Sequence, residues 1–165
     1  MHVKGSERQK VLPAAQLLSN KTACAIEWCG QKHYLENTNW KETSNFIKLC
    51  NNWFDVFNSS NMYGKHEGKN AYDIDLQKQN AILYQMTDLM HKIKIEKHKK
   101  LLLFQKGIIV SNNSLEQLFI YLKEKYSNEN FVMKYVITRR LNQDLLENFF
   151  PSFKLLDVHT ITPWH

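Results

Sequence analysis

The chain has 165 residues, of which 43% are hydrophobic and 12% aromatic, with five glycines and three prolines. That length and apolar content fit one domain, or one domain and a piece of another, and exclude global disorder. A net charge of +6 suits contact with nucleic acid, nucleotide or another polyanion. No apolar run approaches the roughly 20 residues that span a bilayer, so no membrane partner is expected. The odd number of cysteines, Cys24, Cys29 and Cys50, reads as reduced core thiols; with His33 they match no zinc spacing.

From Val11 to Gly30, Leu12, Ala15, Leu18, Ala25, Ile26 and Cys29 recur at helical spacing, with Pro13 in the first turn and Gly30 placed to end the element. The second helix is expected to be capped by Thr43 or Ser44, with Phe46, Ile47, Cys50, Trp53, Phe54 and Phe57 as its apolar stripe. On that helix Asn51, Asp55 and Asn58 fall close to one line beside the rings. A carboxylate with amides next to aromatic rings can read a purine edge, but periodicity alone favours rings facing the core and amides facing water.

Asn58 to Asn70 reads as a loop, and Asp75 as the cap of a third helix carrying Ile82, Leu83, Met86, Leu89, Met90 and Ile93 inward. The following "HKIKIEKHKK" is a basic run, more often a solvated helix end than a phosphate track. "DID" at Asp73 to Asp75 is better explained by capping than by metal. "LLLFQKGIIV" suits a buried strand or extended connector. Ser114 and Gln117 form a capping-box signature for a fourth helix with Leu115, Leu118, Phe119 and Leu122. "FVMKYVITRR" then reads as a short strand, and "RRLNQDLLENFF" as a short helix turning Leu145, Leu146, Phe149 and Phe150 inward.

Asp144 and Glu147 stand three apart near the start of that last helix, where the helix dipole favours acids, so spacing alone makes them ordinary first-turn carboxylates. Asn142, Gln143, Arg139 and Arg140 add polar groups there that packing does not need. No phosphate-loop motif occurs, "NKTA" at residues 20–23 lacks the base-reading Asp of the guanine motif it partly matches, and Gly64-Lys65 and Gly68-Lys69 lie in a loop.

Taken in order, "LPAAQLLSNKTACAIEWCG", "TSNFIKLCNNWFDVFNSSN", "FQKGIIVSNNSLEQLFIYL" and "YVITRRLNQDLLENFF" resemble consecutive blocks of the P-element transposase family, with its THAP-domain relatives, from about Val11 to Phe150. The resemblance implies a mainly α chain. Residues 1–138 would be an N-terminally incomplete, helical GTP-binding insertion domain, and residues 139–150 the start of the C-terminal segment of an α/β RNase H-like domain. That second piece would be a short strand and helix; residues 151–165 would be a divergent tail.

By the same resemblance Glu147 matches the catalytic, metal-binding Glu of a D, D, E site. Asp144, Asn51 and Asp55 match residues facing the guanine nucleotide. GTP and Mg²⁺ are the implied cofactors. Transposon DNA, through the complete protein, and full-length transposase are the implied partners, and the nucleus the implied location. The two catalytic Asp residues have no counterpart, so the chain reads as a truncated or decayed copy, enzymatic only by descent. The alternative is a domesticated, non-catalytic GTP- or DNA-binding regulator of transposition.

Overall fold

The structure is a computed structural model that describes residues 11–36, 39–94, 100–127 and 131–142. Among these residues five α-helices follow one another: α1 (Val11–Leu17), α2 (Asn20–Gln31), α3 (Trp40–Phe57), α4 (Leu76–Lys92) and α5 (Leu103–Tyr126). Among the described residues there are also two 3-10 turns, Glu67–Lys69 and Thr138–Leu141. The chain is mainly helical, as expected.

The single helix expected over Val11–Gly30 is two helices. Ser19 adopts an extended backbone (φ −90°, ψ 154°) and its Oγ accepts from the Thr22 N–H at 3.3 Å, which starts α2 afresh. Gly30 does not end α2 either. His33 takes the left-handed conformation after the helix (φ 57°), and the Tyr34 N–H returns to Cys29 O at 2.9 Å. Gly30 is needed for close approach instead, because a Cβ there would overlap the indole of Trp40.

That approach sets the packing of α2 on α3. Ala23 and Ser44 are both fully buried between the two helices, and Ser44 Oγ donates to Ala23 O at 3.1 Å. Ser44 is therefore an interior contact, not the cap expected, since α3 already begins at Trp40. Lys48 and Glu27 close the same interface at 2.6 Å, and this ammonium holds the Glu27 carboxyl below its ordinary range.

The core lies where α3, α4 and α5 meet, with Val56, Tyr72, Leu83, Leu115, Phe119 and Val136 buried together. Buried amides stitch these elements where apolar contact alone would leave carbonyls unpaired. Asn112 on α5 donates to Leu83 O at 3.0 Å and accepts from the Trp53 indole N–H at 2.7 Å. Gln105 donates to Met90 O and Ile93 O at 2.7 and 3.1 Å, and so satisfies the C-terminal carbonyls of α4.

Those bonds explain the largest departure from the sequence reading. "LLLFQKGIIV" is the opening of α5, not a strand: Gln105 also accepts from the Leu102 N–H at 2.8 Å, anchoring the helix start there. Ser114 and Gln117 are consequently exposed interior positions of α5 and cap nothing. Asp75 occupies the cap position of α4 without a capping bond, pairing with Lys78 at 3.0 Å. Asp73, held at φ 86°, pairs with Lys123 at 3.0 Å.

The expected strand does not form among the described residues; in its place Tyr72 and Val136 make an isolated antiparallel bridge, exchanging both backbone bonds at 2.9 and 3.0 Å. Thr138 then turns in beneath α3. Its buried Oγ1 donates to Val56 O at 2.6 Å, accepts from the Ser59 N–H at 3.2 Å and lies 2.8 Å from Ser59 Oγ. Asn142 Nδ2 reaches Phe57 O at 3.1 Å. Thr138–Leu141 form a 3-10 turn, not the start of an α-helix; residues 143–150 of the expected helix, with Asp144 and Glu147, and the tail 151–165 lie outside the described residues.

Of the expected core thiols, Cys29 and Cys50 are half-buried but Cys24 is exposed, because α2 faces α3 through Ala23 and Gly30. His91 and Lys92 end α4 as a solvated last turn; residues 95–99 of the basic run are outside the described residues. Among the described residues no helix is long and apolar enough to cross a membrane.

Candidate functional site

Asn51 and Asp55 stand one turn apart on α3, where the helix passes the N-terminus of α2 and the loop after Ser59. Asn51 Nδ2 donates to Asp55 Oδ2 at 3.0 Å, and Asn51 Oδ1 accepts from the Asn20 N–H at 3.2 Å. The amide thus ties an orphan donor of the α2 start to the carboxylate. Lys69 Nζ approaches Asp55 Oδ1 at 3.6 Å, too long for a tight charged hydrogen bond. The side chain of Asp55 is only 14% exposed.

The loop is built to deliver Lys69. Asn70 Oδ1 accepts from the Gly64 N–H at 2.9 Å, and the Ala71 N–H reaches Met62 O at 3.0 Å, so residues 62–71 close on themselves. Gly64 is required by this closure, since a Cβ there would lie 2.5 Å from Lys69 Cβ. Gly68 abuts the acid, its notional Cβ 3.9 Å from Asp55 Oδ2. Burial pushes the Asp55 carboxyl up from its ordinary range, against the downward pull of the Lys69 ammonium, the Asn51 amide and His66. A mostly buried carboxylate with incomplete compensation can accept further hydrogen bonds from a ligand.

Asn58 does not join this pair. It sits where α3 ends, its N–H donating to Asp55 O at 3.2 Å. Of the aromatic stripe, Trp53 and Phe57 pack together on the core at 5.1 Å between ring centroids, as periodicity suggested. Phe46 and Phe54 do something the sequence reading missed: with Cys50, Met86, Met90 and Phe104 they line an apolar cavity of about 290 Å³. Desolvation there pushes the Cys50 thiol up, away from reactivity. Lys69 and Asn20 were also missed, and the only sequence signal for Lys69 is its place after Gly68 in a loop.

Among the described residues no three His, Cys, Asp or Glu side chains gather as metal ligands. Asp144 and Glu147 are outside the described residues, so the structure brings together two of the four expected site residues, Asn51 and Asp55.

A family model described as "TNP-like, GTP-binding insertion domain" matches residues 2–71, a stretch that includes Asn51, Asp55 and Lys69. The chain is 44% identical over 156 residues to the Transposable element P transposase of Drosophila melanogaster, across 93% of this chain and 20% of that protein. Over nearly its whole length it resembles one stretch of a P-element transposase. The human (Homo sapiens) DNA transposase THAP9 is 28% identical over 166 residues, again across 93% of this chain and 17% of the relative.

A solved structure, the Drosophila P element transposase strand transfer complex, matches with a TM-score of 0.77 and 43% identity, covering 91% of this chain and 33% of that one. The chain therefore spans about a fifth of the length of the curated relatives it matches. The order of sequence blocks and the helical packing seen in the structure agree on this likeness.

Proposed function

We propose that the chain is a GTP-binding insertion module of a P-element-type transposase and that Asp55 reads the guanine edge. The observation that carries this is the Asp55 carboxylate: mostly buried, raised in pKa, and bonded on one side by an amide that leaves acceptor capacity on the other. The description of the matching family as a GTP-binding domain supports it. Guanine offers a ring N–H and an adjacent amino group that a carboxylate can accept together, whereas adenine lacks the ring N–H. The donor set of the chain fits such a nucleotide.

In this reading Asp55 accepts from the base, Asn51 holds the carboxylate in place, and Lys69 supplies positive charge near the acid or to phosphate. Asp144 is a second acceptor. Glu147 is the metal-binding Glu of a D, D, E site completed elsewhere, and Mg²⁺, when bound there, would activate and stabilise the oxygens of strand transfer. Since one Glu cannot hold two metal ions, the chain by itself cleaves no DNA. Transposon DNA and full-length transposase are partners through the complete assembly, and the nucleus is where such an assembly acts.

A thermal melt of the chain with Mg²⁺ alone, with Mg²⁺–GTP and with Mg²⁺–ATP tests the module. A ligand present at one hundred times its Kd and bound only to the folded state adds roughly 2.7 kcal/mol. A midpoint raised by GTP and not by ATP is expected; a melt indifferent to both would sink the proposal. Mg²⁺-dependent nicking of element-end DNA by the chain alone, lost in Glu147→Ala, would overturn the non-catalytic part.

A further inference from the structure

The cavity of about 290 Å³ between α1, α3, α4 and α5 is built as a well. Its deep end is formed by Met86 and Met90, one turn apart on α4 and only 1% and 3% exposed. Cys50 lines it from α3, and burial pushes that thiol up. At the mouth stand Phe46, Phe54 and Phe104, which are 38%, 38% and 49% exposed. Large rings left partly in water around one opening mark an interaction surface. From α1 the well meets only the methyl groups of Ala14 and Ala15, which are too small to fill it.

We propose that this well binds a small, uncharged, bicyclic aromatic molecule. The size fits, since a dry apolar cavity of about 150 Å³ holds one benzene and the well has roughly twice that volume. The chemistry of the deep end fits as well: methionine thioethers adapt their shape and make favourable contacts with ring edges, while the phenylalanines at the mouth offer faces and edges to a second ring. The polar groups of the lining already have partners. Trp53 Nε1 donates to Asn112 Oδ1 at 2.7 Å, and Asn51 is bonded to Asp55 and to the Asn20 N–H. A ligand that carried donors or acceptors down to Met86 and Met90 would give up its water for nothing in return. A loop of a partner protein would bring unpaired peptide groups to the same place. Asn51 is shared with the guanine site, but Asp55 and Lys69 do not line the well.

The test is a methyl NMR titration of the full chain, labelled at its methionine methyl groups, with naphthalene and with purine. Naphthalene is expected to shift the Met86 and Met90 signals saturably through its ring current and to leave Met62 and Met133 in place. Purine has a similar size but is rich in ring nitrogens, and is expected to bind there at least about tenfold more weakly, the effect of one buried polar group left unpaired. Ala15→Phe, which sets a ring into the well from α1, should abolish the naphthalene shifts. A circular dichroism melt checks that this variant folds, and the comparison of the two ligands on the wild-type chain needs no variant. Unmoved Met86 and Met90 signals would overturn the proposal, as would equal shifts at Met62 and Met133. Purine acting as strongly as naphthalene would overturn it too, and would give the cavity to the nucleotide. Met86 and Met90 signals that move on dilution without ligand would assign the well to a second copy of the chain. None of these outcomes depends on whether GTP raises the melting midpoint, so the two proposals fail separately.

Discussion

At Asp55 burial and charge pull in opposite directions, and burial prevails, so the folded pKa lies above the ordinary 3.8. The folded state then takes up a proton more readily than the unfolded chain. This group's effect on stability is most favourable below pH 3.8, declines as pH rises through the raised folded value, and is flat above it. Removing the charge should therefore help folding at neutral pH: Asp55→Asn is expected to melt above wild type at pH 7, with the difference shrinking on acidification. The same variant should lose its response to GTP, because an amide carbonyl cannot replace both carboxylate oxygens. Bound guanine would in turn favour the ionised acid, so GTP affinity should fall as pH drops through the Asp55 pKa; calorimetric titration at several pH values checks it.

Thr138 is a second residue whose importance is invisible without its neighbours. Thr138→Val keeps the shape but leaves the Ser59 N–H and Val56 O without their buried partner. A loss of about 1–3 kcal/mol in urea unfolding is expected from stranding such groups. A variant as stable as wild type would mean that water or a backbone shift replaces the bonds.

Among the elements, α2 and α5 show two opposite uses of glycine. Gly30→Ala should cost about 1–3 kcal/mol, since the Trp40 ring occupies the space that a methyl would need. Gly107→Ala on α5 meets nothing within 4 Å, and should add about 0.5–1 kcal/mol by improving helix propensity alone. Denaturant midpoints of the pair read both signs in one experiment. The start of α5 also explains why composition misled. Its β-branched residues suit a strand, but Gln105 can satisfy the end of α4 and the start of α5 together only if residues 103 onward are helical. Similarly, Pro13 and the apolar spacing of residues 11–29 give no sign that Ser19 would cap a new helix.

For the whole molecule, the GTP-dependent melt is the decisive measurement, because the site is assembled from α2, α3 and the loop at Lys69. Loosening any of these should diminish the GTP response along with stability. The basic, apolar-rich composition, the amphipathic stripes of α3 and α4 and the order of the four sequence blocks were sufficient by themselves to determine a mainly helical chain and its likeness to the P-element transposases. Asn51 and Asp55 were legible there as one line on a helix, since i to i+4 spacing is a local property. What tertiary structure alone decided depends on contacts between residues distant in sequence: the pairing of Lys69 with Asp55, the seating of Trp40 over Gly30, and the burial of Thr138 against Ser59. Local periodicity carries no information about which loop lysine reaches which acid, because that is fixed by how the loop closes and how the helices pack.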